Sequence, residues 1–449
     1  MKEPMNVYFV SLGCDKNLVD SEMMLGILKK RGYQLTDDEN LADVIVVNTC
    51  GFIRDAQEES VETLLTMAEL KASGRCRVLV AAGCLAQRFQ EDVLKEIPEI
   101  DAVIGTASWQ KIADTIDHVL AGQRQACFDD LSLMPVSKAD RVMSVCSYSS
   151  YLKIAEGCNK RCTYCIIPFL RGPFRSYPVE YLLDQARKLA AGGTKELILV
   201  AQETTVYGID LEGRKMLPEL LTALCRIEGI EWIRLLYCYP EEITEELIEV
   251  MAREPKICHY LDMPIQHCND RILKLMGRKT NKEELKGVIA RLRKAMPDVA
   301  LRTTLIAGFP GETEEEHEEL LAFIREIRFD RLGVFTYSRE EGTKAADMPD
   351  QVPEDVKVAR QARLMEAQQE IAFAQAEEMT GRLLPVLVDG RLPESGIYVG
   401  RTYRDAPDVD GYVYLDADGE LISGDIVNVR ITDSNAYDLI GDVEYEFTE

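Results

Sequence analysis

Apolar segments in the first 120 residues alternate with stretches in which apolar side chains recur every three or four positions. The apolar segments predict strands at residues 5–12, 42–48, 77–82 and 102–104. The periodic stretches predict helices at residues 20–31 and 55–72. Because strands that alternate with helices form a parallel sheet covered on both faces, residues 1–121 are predicted to be an open α/β domain.

The same alternation returns six times between residues 148 and 352. Strands are predicted at residues 151–155, 196–201, 232–237, 260–263, 300–307 and 331–337, with helices such as 179–191 and 282–295 between them. Six strand–helix units predict a partial (β/α)6 barrel, whose functional groups gather at the carboxyl ends of the strands. Residues 122–147, which lack clear periodicity, are predicted to be a linker.

The carboxyl-terminal part of the chain changes character. Residues 353–380 predict one long connecting helix, which Pro353 opens and Gly381 closes. Short strands bounded by turn residues follow at 383–388, 397–400, 411–415, 426–431 and 437–445. Residues 381–449 are therefore predicted to be an all-β, OB-like barrel of five strands.

Three cysteines follow the first strand of the central domain, at Cys158, Cys162 and Cys165. An iron–sulfur cubane usually takes four protein thiolates, so a C-x3-C-x2-C run would leave one iron open to bind a small molecule. Tyr164 lies between two of these cysteines and could cover such a ligand. A zinc site is the alternative, although zinc sites usually pair two C-x2-C runs.

Cys14, Cys50 and Cys84 each follow an apolar strand of the amino-terminal domain after one polar residue or glycine. The carboxyl ends of parallel strands meet at one edge of a sheet, so these cysteines are expected to meet there. We therefore predict a second three-thiolate cluster, the alternative being three unrelated core cysteines. The cysteines without ligand spacing, which receive no role, are Cys76, Cys127, Cys146, Cys225, Cys238, Cys258 and Cys268.

Polar side chains follow two other strands of the central domain. Glu203 comes after the second strand, where a carboxylate could accept a ribose hydroxyl of a cofactor. Gln266 and His267 come after the fourth strand. We predict a cofactor contact for Glu203 and Gln266, whereas a lone histidine in such a place is equally typical of scaffold.

A glycine-rich turn follows the fifth strand. Gly308, Pro310 and Gly311 predict a sharp turn with exposed backbone groups, which we expect to line a cofactor. Thr313 and Glu316 have the spacing of a capping box at the start of the next helix. An ordinary strand–helix turn is the alternative.

The chain carries 77 acidic and 52 basic residues, a net charge of −25. This balance disfavours nonspecific binding of nucleic acid and suits a basic partner. Residues 380–449 hold 15 acidic residues and 5 arginines, and we expect five aspartates of this barrel to attract such a partner: Asp405, Asp408, Asp410, Asp416 and Asp418. No membrane span or signal peptide is predicted, and the chain is expected to be cytoplasmic with reduced cysteines.

These features together resemble the radical S-adenosylmethionine (SAM) methylthiotransferase family across nearly the whole chain, with the last barrel similar to its TRAM module. The runs at residues 11–22, 48–53, 151–158 and 263–267 resemble the branch that modifies ribosomal protein S twelve. The branch that modifies tRNA typically carries a Gly-Cys-Gln-Met-Asn run at the first cysteine. Two residues depart from the pattern: Asp15, where proline is usual, and Glu203, where aspartate is expected.

The resemblance implies two 4Fe–4S clusters, bound by the two cysteine triplets, and SAM at the Cys158 triplet. It implies that a 5′-deoxyadenosyl radical takes hydrogen from the β-carbon of an aspartate, which then receives a methylated sulfur from the Cys14 triplet. The implied partners are ribosomal protein S twelve and an external electron donor, with nucleic acid contacted only through the ribosome. The alternatives are methylthiolation of tRNA and a noncatalytic iron–sulfur protein, either an electron carrier or a ribosome-associated binding factor. Two incomplete ligand sets disfavour an electron carrier, which would ligate its clusters fully.

Overall fold

A computed structural model describes residues 5–137, 139–144 and 148–444 of the chain. Its strands are β1 (Asn6–Ser11), β2 (Gln34–Leu35), β3 (Val44–Thr49), β4 (Val78–Gly83), β5 (Ala102–Ile104), β6 (Gln125–Cys127), β7 (Ser149–Lys153), β8 (Ala155–Glu156), β9 (Arg175–Ser176), β10 (Glu196–Val200), β11 (Trp232–Leu235), β12 (Ile257–Asp262), β13 (Ala300–Ala307), β14 (Arg331–Thr336), β15 (Leu383–Arg391), β16 (Tyr398–Thr402), β17 (Val413–Asp416), β18 (Ile426–Asn435) and β19 (Asp438–Val443).

The α-helices lie mainly between the parallel strands. They are α1 (Asp15–Arg31), α2 (Arg54–Ser73), α3 (Cys84–Phe89), α4 (Glu91–Glu96), α5 (Ile112–Leu120), α6 (Ile167–Arg171), α7 (Val179–Ala191), α8 (Ile209–Glu212), α9 (Leu217–Leu224), α10 (Glu245–Arg253), α11 (Asp270–Leu275), α12 (Lys282–Ala295), α13 (Glu314–Ile327) and α14 (Glu354–Glu377). Among the described residues no helix combines the length and apolar character needed to cross a membrane.

The amino-terminal domain is a parallel sheet in the order β2-β1-β3-β4-β5-β6, with an apolar core on each face. This confirms the predicted open α/β architecture. The predicted linker at 122–147 is wrong at its start, because β6 lies inside it and pairs with β5. A three-residue edge strand is too short to show alternation, which explains why the sequence pattern missed it.

Helix α1 begins at Asp15, five residues before the predicted start, and Cys14 is its N-cap residue. Its first turns bury polar side chains, including Lys16, Asn17 and Asp20. Those side chains face the central domain, so the turn carries no apolar stripe from which a helix could be predicted.

The central domain contains six parallel strands in the order β14-β13-β12-β11-β10-β7, the arrangement of a partial (β/α)6 barrel. Helices cover one face of this sheet and form the largest apolar core of the described chain. Helices α7 and α12 have the predicted bounds. The predicted capping box is also present, since Thr313 and Glu316 each bond the other's backbone N–H.

Strands β15 to β19 form a closed five-stranded barrel, as predicted, and α14 leads into it. The barrel packs on the face of the central sheet that the helices leave open. There Ile198, Val200 and Tyr260 of the sheet share an apolar cluster with Leu387 and Ala406 of the barrel. The central sheet is therefore enclosed on both faces.

The expectation that five barrel aspartates are free to attract a partner is wrong for two of them. Asp405 is buried and pairs with Arg331 of β14, and Asp410 accepts a hydrogen bond from the Tyr260 hydroxyl (2.7 Å) and lies 3.5 Å from Arg302. These partners precede the aspartates by at least 74 residues, so composition alone could not reveal the pairing. The exposed members of the set are Asp408, Asp416 and Asp418.

Candidate functional site

The ends of neighbouring strands β1, β3 and β4 bring Cys14, Cys50 and Cys84 to one edge of the amino-terminal sheet. A Cβ atom on Gly13 would lie 2.9 Å from the Cβ of Cys50 and 3.1 Å from its sulfur. A Cβ atom on Gly51 would lie 2.9 Å from the backbone of Cys84. Two glycines therefore allow these strand ends to approach each other, and the structure places the three predicted ligands together.

The three thiols of this edge differ in exposure. Cys14 is exposed, Cys50 is half-buried and Cys84 is buried. Burial raises the pKa of the Cys84 thiol to about 11 and also raises the pKa of Cys50, and the neighbouring Cys14 adds to both shifts. Because metals bind the thiolate, loading of this site must displace protons.

The second triplet lies in a tight loop after β8. Gly157 has φ +71°, and a Cβ there would lie 2.2 Å from a backbone carbonyl oxygen, so only glycine fits. Burial raises the pKa of Cys158 to about 11. The backbone N–H of Cys165 donates to the carbonyl of Cys162 (3.1 Å), and the Thr163 hydroxyl donates to a carbonyl at the end of α11 (2.8 Å). These hydrogen bonds hold the shape of the loop that carries the three cysteines.

Helix α6 connects the two triplets. Ile166 directly follows Cys165 and shares a small buried cluster with Cys84. Five residues later, the buried guanidinium of Arg171 donates to the side chain of Asn17 (2.9 Å) in helix α1. One short segment of the central domain therefore contacts both the second triplet and the edge that carries the first.

A second contact fixes the same domain boundary. Arg88, in the helix that begins at Cys84, donates to Glu340 (2.7 Å) of the central domain and to the carbonyl of Gly51 (3.1 Å). Gln57 donates to the same oxygen of Glu340 (2.9 Å). The amino-terminal edge is thus tied to the central domain on two sides.

The segment that follows β11 presents one aromatic ring to each triplet. The Tyr237 hydroxyl donates to Asp15 (3.1 Å), and the Lys16 ammonium lies 3.1 Å from the centre of the Tyr237 ring. The Tyr239 hydroxyl lies 3.8 Å from the Cys162 sulfur. Two residues of extended chain span at most about 7 Å, so one short segment contacts the surroundings of both triplets.

Glu203 is buried beside the second triplet, as its position after β10 predicted. One carboxylate oxygen accepts hydrogen bonds from the Thr205 hydroxyl and backbone N–H (3.1 Å for the latter). The other oxygen has no hydrogen-bond partner among the described residues and lies 3.5 Å from the Lys160 ammonium. Burial raises the pKa of Glu203 to about 7, against the opposing charge of Lys160. Apart from its ion pair with Lys160, this oxygen is a buried acceptor without a hydrogen bond in the described structure.

Arg278 and Glu241 are site residues that the sequence did not indicate. The Arg278 guanidinium lies 4.1 Å from the centre of the Tyr239 ring and 3.7 Å from Glu241. Two nitrogens of Arg278 and one oxygen of Glu241 are buried and lack hydrogen-bond partners in the described structure. Neither residue follows a predicted strand directly, so only the fold reveals them. Apart from their own long ion pair, these groups offer buried donor and acceptor atoms without hydrogen bonds, which is the lining that a zwitterionic ligand would need.

Gln266 and His267 occupy different environments. Gln266 has φ +71°, is half-buried, and bonds through its backbone to Thr304 (2.9 Å), which leaves its side chain available to the site. His267 is fully buried and accepts the backbone N–H of Asn269 (2.9 Å) at the start of α11. Burial lowers its pKa to about 3, which favours the neutral ring.

The glycine-rich turn after β13 differs in one respect from the expectation. The backbone N–H groups of Gly308 and Phe309 both donate to Glu312 (2.8 and 3.2 Å), and that of Gly311 donates to a backbone carbonyl (2.8 Å). These donors are not exposed, because the turn uses them to hold its own shape. A Cβ atom on Gly308 would lie 2.4 Å from the Lys357 side chain, which explains why a glycine occupies this position. Pro310 lies between these anchored residues.

Tyr164 lies between the second triplet and this turn. Its ring meets the ring of Phe309 edge to face at 6.4 Å, and Phe309 meets Tyr337 in the same way at 5.6 Å. The ring is half-buried, so it covers one side of the triplet without closing the site. Its predicted role as a cover for a ligand stays a prediction.

Among the described residues, no three His, Cys, Asp or Glu side chains converge as they would around a single metal ion. In a cubane each thiolate binds a different iron, so its ligands are held further apart. Cys127 lies in β6 with its sulfur 3.3 Å from the Thr115 hydroxyl, and Cys146 lies outside the described residues.

Three family models match successive parts of the chain. The Uncharacterized protein family UPF0004 matches residues 6–105, the Radical SAM superfamily matches residues 152–324, and the TRAM domain matches residues 380–443. These ranges cover most of the amino-terminal sheet, most of the partial barrel and the closed barrel, leaving out the edge strands β6 and β14. The fold and the site define a radical SAM enzyme with an additional cysteine triplet.

Close relatives narrow this class. The chain is 60% identical to the ribosomal protein uS12 methylthiotransferase RimO of Lachnoclostridium phytofermentans, over 98% of this chain and 100% of that protein. It is 49% identical to the protein of the same name from a Thermoanaerobacter species, over 97% and 99% of the two chains. The chain therefore belongs to the RimO family of radical SAM methylthiotransferases. The radical SAM methyltransferase TsrM of Kitasatospora setae shares the fold at 14% identity, with a TM-score of 0.55 over 85% of this chain and 80% of that one.

Proposed function

We propose that this chain attaches a methylthio group to the β-carbon of a conserved aspartate of ribosomal protein S twelve. The observation that carries the proposal is the segment after β11, which places Tyr237 beside the Cys14 edge and Tyr239 beside Cys162. Two incomplete cysteine sets on either side of one short segment suit a reaction that needs two reactive groups near one carbon atom.

The residues present fit the cofactors that such a reaction requires. Each cysteine triplet would hold one 4Fe–4S cluster and leave one iron without a protein ligand. The buried atoms of Glu203, Glu241 and Arg278 that make no hydrogen bond suit the amino acid end and the ribose of SAM. Gln266, Tyr164 and the turn at Gly308, Pro310 and Gly311 would border that ligand. We propose these residues as the cofactor site.

When bound, the clusters and SAM supply the one-electron and sulfur-transfer chemistry that no side chain provides. The chain holds and shields these groups. Tyr164 and Tyr239 cover the second triplet with apolar rings, while the fixed turn at Gly308 limits movement beside it. Helix α6 and the Arg88–Glu340 pair fix the distance between the triplets. Positioning of this kind is the main catalytic contribution of a cofactor-dependent protein.

The remaining partners follow from the substrate. The exposed aspartates Asp408, Asp416 and Asp418 add to an acidic barrel that would attract a basic ribosomal protein and repel tRNA. We place the reaction in the cytoplasm, with an external electron donor and with nucleic acid contacted only through the ribosome. Methylthiolation of tRNA is the competing function, which requires an RNA-binding surface that this charge disfavours.

The deciding experiment supplies the reconstituted enzyme, under anaerobic conditions, with SAM, a reductant and either ribosomal protein S twelve or bulk tRNA. Mass spectrometry should find a methylthio group on the aspartate of the protein and none on tRNA. The reverse outcome would replace this proposal with a tRNA methylthiotransferase.

Replacing Cys158 with alanine should remove one cluster and leave the other. Wild-type protein should bind about eight irons per chain, and Cys158→Ala about half as many, because the two triplets lie on separate segments. Cleavage of SAM should be lost. Iron analysis after anaerobic reconstitution tests this, and a wild-type value near four irons would contradict it.

A further inference from the structure

Lys16 is a buried cation whose ammonium group makes no hydrogen bond to any described residue. Its side chain is 6% exposed, and the nearest carboxylate oxygen, of Asp15, is 4.0 Å from the nitrogen. The ammonium lies 3.1 Å from the centre of the Tyr237 ring, whose face favours a cation but accepts no hydrogen bond in the ordinary sense. A buried charge is costly unless it is well paired, and among the described residues this ammonium has only the 4.0 Å contact with Asp15, at the outer limit of an ion pair.

Two other buried cations at the boundary between the amino-terminal and central domains have carboxylate partners within hydrogen-bond distance. Lys153 pairs with both Asp20 and Glu156, and Arg171 donates to Asp20 (2.6 Å) as well as to helix α1 through Asn17. Their charges are therefore balanced within the fold. Lys16 differs from them, because the carboxylate nearest to it, that of Asp15, accepts a hydrogen bond from Tyr237 instead.

Asp15 is engaged elsewhere. Its carboxylate accepts the Tyr237 hydroxyl (3.1 Å), which holds the aromatic ring against the Lys16 ammonium. Asp15 thus positions the ring, and the three N–H donors of Lys16 meet no hydrogen-bond acceptor in the part of the chain that the structure describes. The Lys16 ammonium can therefore donate hydrogen bonds to an anionic ligand.

Lys16 also lies between the two halves of the proposed site. It follows Cys14 by two residues, on the first turn of α1. The backbone carbonyl of Tyr237 accepts the N–H of Thr204 (3.0 Å), the residue next to Glu203. Lys16 is thus two residues from a ligand of the first triplet, and the tyrosine whose ring it contacts is bonded through its backbone to the strand end that carries Glu203.

We propose that Lys16 binds the carboxylate of the substrate aspartate and so selects an acidic side chain. The inference rests on the proposed function and deepens it. A carboxylate accepts hydrogen bonds only, and an ammonium donates three, so the two groups match. The β-carbon is bonded directly to the carboxylate carbon. Anchoring the carboxylate at Lys16 therefore holds the reacting carbon beside both triplets.

The test compares two synthetic peptides of the ribosomal protein, one with the target aspartate and one with asparagine in its place. For wild-type enzyme, Kd from fluorescence anisotropy and kcat/KM from mass spectrometry should both favour the aspartate peptide. Lys16→Met keeps the aliphatic stem and removes the charge. It should lower kcat/KM for the aspartate peptide roughly ten- to hundredfold and abolish the preference.

Two variants serve as comparisons. Lys16→Arg retains the cation and should retain the preference for aspartate. Lys30→Met makes the same charge change at the other end of α1, about 20 Å away, and should leave affinity, preference and iron content unchanged. Iron content and thermal unfolding of each variant show whether a loss of binding comes from a damaged fold.

Several outcomes would overturn the proposal. If wild-type enzyme binds the two peptides equally, no cation of the site selects the carboxylate, and this holds for any result with the variants. If Lys16→Met keeps the preference for the aspartate peptide, Lys16 does not bind the substrate carboxylate. If this variant changes only the iron content, Lys16 supports binding of the cluster at the first triplet instead. If wild-type enzyme ignores the aspartate peptide and modifies tRNA, the proposed function itself fails, an outcome distinct from loss of selectivity.

Discussion

Replacing Cys14 with alanine should abolish the methylthio product while cleavage of SAM continues. The second triplet lies in its own loop after β8, and its anchors do not include Cys14. Cys14 is also exposed, so the substitution opens no cavity in the core. Anaerobic turnover with the aspartate peptide should yield 5′-deoxyadenosine and unmodified peptide, which separates the two halves of the reaction.

The matched control is Cys127→Ala. Cys127 belongs to the same domain, is half-buried and lies on the edge strand β6. This variant should form product at the wild-type rate and bind the wild-type amount of iron. Methylthiolated peptide from the Cys14 variant would show that this cysteine is not needed for sulfur transfer, and the role proposed for the first triplet would be wrong.

Elements with regular local patterns could be predicted from the sequence with their bounds. Helix α12 is an example, because Asn281 caps it and its buried residues recur at Leu285, Val288, Ile289 and Leu292. The cysteine-bearing strand ends were equally clear, since each follows a continuous apolar strand of a parallel sheet. Local periodicity and one topological rule are enough to bring Cys14, Cys50 and Cys84 together.

Features that depend on contacts between distant segments could not be predicted. Lys16 and Tyr237 are 221 positions apart, and neither belongs to a motif that indicates their contact. The same holds for Asp405 and Asp410, which look like ordinary turn residues until Arg331 and Arg302 are placed beside them. Charge composition describes a free surface well, but it cannot distinguish that surface from a buried ion-pair interface.

Replacing Glu196 with glutamine should weaken the attachment of the carboxyl-terminal barrel and destabilise the protein by roughly 3 kcal/mol or more. Glu196 is fully buried and accepts hydrogen bonds from Arg234 (2.7 Å) and, across the interface, from Arg401 of the barrel (3.0 Å). Without its charge, two buried guanidinium groups lose their shared anion. Thermal unfolding and hydrogen exchange of β16 should report the change, whereas Asp416→Asn, an exposed substitution with the same charge change, should have little effect.

The pH dependence gives an independent measurement of the same contact. Arg401 and Arg234 lower the pKa of Glu196 to about 2, despite the opposing effect of burial. A carboxyl group whose pKa is lower in the folded state stabilises the fold above its unfolded pKa of about 4.3 and loses that contribution as pH falls toward 2. Wild-type stability should therefore decline between about pH 4.5 and pH 2, and the decline should be smaller for Glu196→Gln. An equal decline in both proteins would show that this carboxylate does not hold the barrel to the sheet.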